Sequence, residues 1–221
     1  MVSILDIIGP IMVGPSSSHT AGACRIGLFV RRLVGGQPDK ARIELHGSFA
    51  RTGAGHGTDR ALAGGLLGLA PDDERLRDSL TLAEDMGLAI EFDTVKLRGD
   101  VHPNTARLTV ERSGSEVTVT GSSLGAGRIL ITDIDGYPVA TSGDLPTLIF
   151  IATDEPGIVS AASGVLARDG ENIAAMRASR RRRGGDAIHI YELDNVPSAV
   201  AVSDIEAIPG VAWARVVDRV T

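Results

Sequence analysis

One cysteine, Cys24, stands in a chain of 221 residues, so a disulfide framework within the chain is excluded. Aromatic residues make up only 3%, so the cores must be built from Val, Ile, Leu and Ala. No apolar run approaches the roughly 18 residues that a membrane span needs. Residues Met1 to Pro10 lack a basic leading segment and a small-residue cleavage site, which predicts no secretory signal and a cytoplasmic location. Positive charge is also short: 22 Lys and Arg against 28 Asp and Glu give a net charge of −6. That balance argues against non-specific nucleic-acid binding. The one basic cluster, Arg180 to Arg183 beside Gly184-Gly185, reads as a solvated strand end and turn. It has neither the breadth nor the interleaved aromatics of a nucleic-acid surface.

What is present is glycine, 27 residues of it, in a composition that is 43% hydrophobic and 23% charged. This is a globular composition with many tight turns and close backbone approaches. The chain divides most naturally near Gly143-Asp144-Leu145-Pro146, giving domains at 1–143 and 146–221. Downstream the periodicities are regular. Leu148 to Ala152 reads as a buried strand, Ile158 to Arg168 as a helix, and Ile173 to Arg181 with Ala187 to Leu193 as a hairpin about Gly184-Gly185. Ser198 to about Ala207 follows as a second helix, and Val211 to Val220 as a last strand. The order βαββαβ is that of a ferredoxin-like fold. Upstream the pattern is α+β with irregular turns. Ile4 to Ile8 is a short apolar run, Ala21 to Leu33 and Arg60 to Leu69 read as helices, and residues 75 to 86 as partly helical. Strands are expected at Arg42 to His46, Ile90 to Lys96, Thr105 to Glu111, Glu116 to Thr120 and Ile129 to Asp133, with Gly121 to Gly127 as a loop.

The chemistry concentrates in a few turns. Gly14-Pro15-Ser16-Ser17-Ser18-His19-Thr20 opens into an apolar helical pattern. Hydroxyls at a helix start supply caps, and free backbone N–H groups there favour a small anion. In Gly55-His56-Gly57-Thr58-Asp59, flanking glycines leave an imidazole unshielded, suited to general-base work or to gripping a carboxylate, with Thr58 or Asp59 to orient it. His102-Pro103-Asn104-Thr105 sets an imidazole and an amide on a restrained turn. His46 ends a strand. His189 alternates with Ile188 and Ile190 and is a structural residue by that pattern. No histidine pair stands four apart on a helix and the only thiol lies within one, so no metal site is expected in this chain.

Taken in order, Gly14 to Gly22, His46-Gly47-Ser48-Phe49-Ala50, Gly55 to Arg60, His102 to Thr105 and the Gly-Ser-Ser segment at 121–123 resemble the beta subunit of iron–sulfur-dependent L-serine dehydratase. The N-terminal region is similar to the allosteric substrate-binding domain of some D-3-phosphoglycerate dehydrogenases. The last seventy-five or so residues, with Asp154-Glu155-Pro156-Gly157 after their first strand, resemble an ACT domain. The resemblance implies a lyase that converts L-serine to pyruvate and ammonia, with a 4Fe-4S cluster held by three cysteines. Cys24 alone cannot supply them, so the cluster is expected on a separate alpha subunit. His56 and His19 are then the catalytic candidates. Ser16, Ser17, Ser18, Thr20, Thr58, His102 and Asn104 are the substrate-binding ones, and Gly157 and Asn172 the effector contacts of the ACT domain. The implied partners are the alpha chain, L-serine, and a second copy in a homodimer or heterotetramer. A non-catalytic regulatory module binding an amino acid or phosphate, and pairing through its ACT domain, is the competing reading. Preference for serine over threonine is open, since one methyl is worth about 1–3 kcal/mol.

Overall fold

The computed structural model describes residues 11–220, so the expectations for Ile4 to Ile8 and for Met1 to Pro10 lie outside the described residues. The described residues form two compact units, 11–135 and 136–220.

In the first unit a π-helical turn, Ser17–Gly22, runs directly into α1 (Ala23–Leu33). Then come β1 (Lys40–His46), α2 (Gly47–His56), α3 (Thr58–Leu67), a 3-10 turn at Glu74–Asp78, α4 (Ser79–Asp85) and β2 (Ala89–Val95). The strands β3 (Asn104–Arg112), β4 (Ser115–Gly125) and β5 (Arg128–Ile134) complete it. Within this unit the strand order is β2-β1-β3-β4-β5; β1 and β2 are parallel and the other pairs antiparallel. Alternation sorts the faces. On β1, Ala41 and Ile43 are buried and stand opposite Val110 and Leu108 of β3, while Arg42 is exposed. On the polar face Arg107 grips Glu44 through two hydrogen bonds of 2.6 and 2.8 Å, which hold that carboxyl below the usual carboxylate range.

The helices α1 and α3 meet backbone to backbone. A Cβ on Gly65 would land on the Cys24 carbonyl, and one on Gly27 on the Leu62 carbonyl. Ile26, Phe29, Val30, Leu62 and Leu66 fill the core around that crossing.

Two expectations are corrected here. The stretch from Gly55 reads as a turn and residues 47–54 carry no assigned element, yet 47–56 form α2: buried Phe49 anchors the helix and outweighs the helix-weakening glycines. The segment Gly121 to Gly127 reads as a loop, yet its first part is the end of β4, with register shifts at Thr120/Gly121 and Ser123/Gly125. Small residues are needed there because the helix start lies against the strand: a Cβ on Gly22 would strike Ser123.

The second unit opens with β6 (Tyr137–Thr141), which had no counterpart in the sequence pattern. Thr141 donates to Glu192 at 2.8 Å, and the Arg181 guanidinium lies 4.1 Å from the Tyr137 ring centre. Next come β7 (Thr147–Thr153), α5 (Ile158–Asp169), β8 (Ile173–Arg180), β9 (Asp186–Leu193), α6 (Ala199–Glu206) and β10 (Val211–Val217), a βαββαβ order with strands arranged β10-β7-β9-β8. The helices close over Leu148, Phe150, Tyr191 and Leu193, with Leu166, Ala201 and Ile205 meeting them. Among the described residues no helix is long and apolar enough to cross a membrane.

Candidate functional site

The site is built around α2. Its start is fixed by the His102-Pro103-Asn104 turn: the N–H of Ser48 donates to the Pro103 carbonyl at 2.7 Å. Gly47, at φ +57°, must be glycine because a Cβ would sit 2.6 Å from that same oxygen. His102 Nδ1 accepts from the Asn104 N–H at 3.1 Å, and the Thr105 hydroxyl closes the turn on the His102 carbonyl at 2.6 Å. From this anchored start, Ser48, Thr52 and His56 recur every four residues along one side of the helix.

His19 faces that row from the π-helical turn. Its Nε2 lies 3.1 Å from Thr52 Oγ1 and 3.3 Å from Ser48 Oγ, and its Nδ1 lies 3.4 Å from Ser16 Oγ. The Thr52 hydroxyl donates to the Ser48 carbonyl at 3.0 Å, so toward His19 it accepts, and Nε2 carries the His19 proton. The Ser16 hydroxyl also caps the turn, accepting from the His19 N–H at 3.2 Å. The His19 ring packs edge-on against Phe49 at 5.3 Å and lies 4.9 Å from the His56 ring. Burial, reinforced by the neighbouring His56, holds His19 below the usual imidazole pKa, with a hydrogen bond to the Ser48 backbone opposing.

His56 is the last residue of α2, ended by Gly57 in the left-handed region at φ +69°. Its Nδ1 lies 2.8 Å from the Thr52 carbonyl. A carbonyl only accepts, so Nδ1 carries the proton and Nε2 presents a lone pair. The orienter is therefore Thr52 and not the Thr58 or Asp59 expected from the sequence. Asp59 accepts from the Arg60 N–H at 2.9 Å, and Thr58 is fully buried with its hydroxyl unpartnered. Beside His56 lies a cavity of about 250 Å³, lined among others by Gly14, Thr20, Gly55, Arg60 and Arg77.

Of the residues singled out from the sequence, His56 and Thr20 line this cavity, and Thr20 donates to the His56 carbonyl at 3.2 Å. Ser16 and His19 belong to the hydroxyl–imidazole cluster behind it, and Ser18 touches Ser16 at 3.4 Å. Ser17, Thr58, His102 and Asn104 do not line it. His46 precedes the helix without capping it through its side chain, and its Nδ1 accepts from the Leu97 N–H at 3.2 Å. In the second unit Gly157, at φ +104°, begins α5, and Asn172 donates to Asp194 at 2.9 Å. Sequence reading missed Ser48, Thr52, Arg60 and Arg77. The four-residue spacing back from His56 exposes the first two once a helix is assumed, whereas nothing local marks Arg77.

Cys24 is buried within α1, donates to the Leu69 carbonyl at 3.2 Å, and is pushed up to about 12 by burial. A thiol held in its protonated form does not fit an iron–sulfur ligand. Among the described residues no group of three His, Cys, Asp or Glu side chains is placed to hold a metal ion.

The profile of the serine dehydratase beta chain family matches residues 3–100. Over 209 residues the chain is 39% identical to a probable L-serine dehydratase beta chain of Bacillus subtilis, covering 95% of this chain and 94% of that one. The chain belongs to the L-serine dehydratase beta-chain family. A second L-serine dehydratase beta chain, from Peptoniphilus asaccharolyticus, is 38% identical over 87% of both chains. A D-3-phosphoglycerate dehydrogenase of Synechocystis is 28% identical over 84% of this chain and 34% of its own length. The hydroxyl–imidazole cluster and the cavity both lie in the first unit.

Proposed function

We propose that this chain is the beta subunit of a two-chain L-serine ammonia-lyase, and that the cavity at His56 forms its share of the substrate pocket. Family membership favours this over a purely regulatory module. The observation that carries the site assignment is the 2.8 Å contact of His56 Nδ1 with the Thr52 carbonyl, which in the neutral ring puts the free lone pair on Nε2 of a residue that lines the cavity. His56 takes the Cα proton of L-serine at Nε2 and passes it to the departing hydroxyl, which leaves as water, and the resulting aminoacrylate hydrolyses to pyruvate and ammonia. While it holds that proton, the imidazole is supported at Nδ1 by the helical carbonyl. His19, fixed by Ser16, Ser48 and Thr52, packs beside the His56 ring and holds its position.

The group that polarises the serine hydroxyl, which we take to be a four-iron cluster, belongs on the alpha chain, since Cys24 does not fit it. When bound it supplies Lewis acidity; among the described residues of this chain no group of side chains is placed to ligate it. Ser16, Ser17, Ser18, Thr58, His102 and Asn104 contribute as the polar shell of the assembled pocket, and Thr20 by direct contact. We further assign residues 1–143 to the dehydratase domain and 146–221 to an ACT domain. Its effector would sit near Gly157 and Asn172, in a homodimer or heterotetramer in the cytoplasm.

The test is the His56→Ala variant assembled with its alpha partner. Turnover falls about 10²–10⁴-fold, the range for a general base, while the iron absorbance of the complex is unchanged. Full turnover would overturn the assignment.

A further inference from the structure

The cavity beside His56 is lined in part by two arginines that the mechanism above does not use. Arg60 lies in the first turn of α3 and Arg77 in the 3-10 turn that follows that helix. Arg42, Arg75, Arg107, Arg180 and Arg215 each pair with a carboxylate. Arg60 and Arg77 pair with none among the described residues, although Asp59 and Asp78 are their immediate neighbours in sequence. The Asp59 carboxylate is spent on the Arg60 backbone N–H instead.

Their backbones are locked to each other. The buried Ser79 hydroxyl, at the start of α4, donates to the Arg60 carbonyl at 2.6 Å. Leu76 presses onto α3 at Gly64, where a Cβ would meet its Cδ2. Two arginines thus stand on a fixed backbone at one small cavity, with Thr20 and the glycines at 55 and 57 also in its wall. A planar fork of donors matches a carboxylate in two-point fashion, which a serine hydroxyl cannot.

We infer that Arg60 and Arg77 bind the α-carboxylate of the amino-acid substrate and so restrict this cavity to small α-amino acids with a free carboxylate. The inference rests on the reading of the cavity as the substrate pocket. It shifts the anchoring role from the serine-rich turn, whose Ser16 hydroxyl is committed to His19, to these two side chains.

The test uses the assembled two-chain enzyme with Arg60→Gln, Arg77→Gln and Arg60→Lys, beside His56→Ala as reference. Both arginines are exposed, so each variant keeps the fold, checked by its melting curve. Each Gln variant raises KM for L-serine roughly tenfold or more with kcat little changed, and Arg60→Lys recovers part of the loss. Inhibition by glycine weakens in parallel, while inhibition by glycinamide, which has no carboxylate, does not. Unchanged KM and glycine inhibition alongside an inactive His56→Ala overturns the carboxylate assignment and leaves the pocket standing. Loss of co-purification with the alpha chain, with KM unchanged in what assembles, also overturns it and places the two cations at the subunit contact. If His56→Ala is fully active as well, the pocket reading itself has failed.

Discussion

His19 in the first unit and His189 in the second are both almost fully buried, and burial is the leading cause that lowers the basicity of each. Their surroundings differ. Both ring nitrogens of His19 meet hydroxyl oxygens, and a second imidazole lies alongside. His189 stacks flat on Phe150 at 4.4 Å, with its Nδ1 unpartnered. In the reading proposed here the hydroxyl-wired imidazole next to His56 serves the site, and the one stacked in the sheet serves packing. The glycines divide the same way. Gly65 of α3 sits against the α1 backbone, while Gly164 of α5 faces only the tip of Arg168, 3.6 Å from where a Cβ would stand.

The sharpest test of that division is Gly65→Ala. The added methyl meets carbonyl and Cα atoms that cannot rotate away, so stability drops by roughly 3 kcal/mol or more, read by chemical denaturation. His19→Leu comes next. It removes a hydrogen-bonded hub and leaves three hydroxyls to find other partners, at a cost of about 1–3 kcal/mol. His189→Phe keeps the stack and deletes an unsatisfied nitrogen, so it stays within about 1 kcal/mol of the parent. A loss there as large as that at His19 breaks the comparison. The smallest effect is a gain: Gly164→Ala stabilises by about 0.4–1 kcal/mol through helix propensity and a less flexible unfolded chain.

Acid sharpens the same contrast. Each imidazole binds its proton less readily folded than unfolded. Stability is therefore full above the ordinary imidazole pKa of 6.5 and drains as pH falls below it. Melting curves between pH 7.5 and 5 fall less steeply for His189→Phe than for the parent protein, and a parallel fall would remove His189 from the account.

The second unit was legible because its strands and helices obey their own periods. The Phe150, His189 and Tyr191 face follows from simple alternation. The first unit was legible in its motifs and not in its geometry. Gly47 and Gly53 hide α2 because the reason for them is tertiary: one avoids Pro103 and the other makes room for Thr58. Gly121 and Ser123 read as a loop for the same reason, being small for the helix start that lies on them. Arg60 and Arg77 belong together only through the Ser79 hydroxyl and the Leu76 contact, neither of which leaves a pattern in the chain.

The placement of Cys24 has a practical consequence. Oxidants and exchanging disulfides attack the thiolate, and this sulfur is shut inside α1, kept protonated and turned toward a carbonyl. The isolated subunit can therefore be prepared and stored in air. On the two-chain reading proposed above, air-exposed beta chain mixed with anaerobic alpha chain restores full turnover.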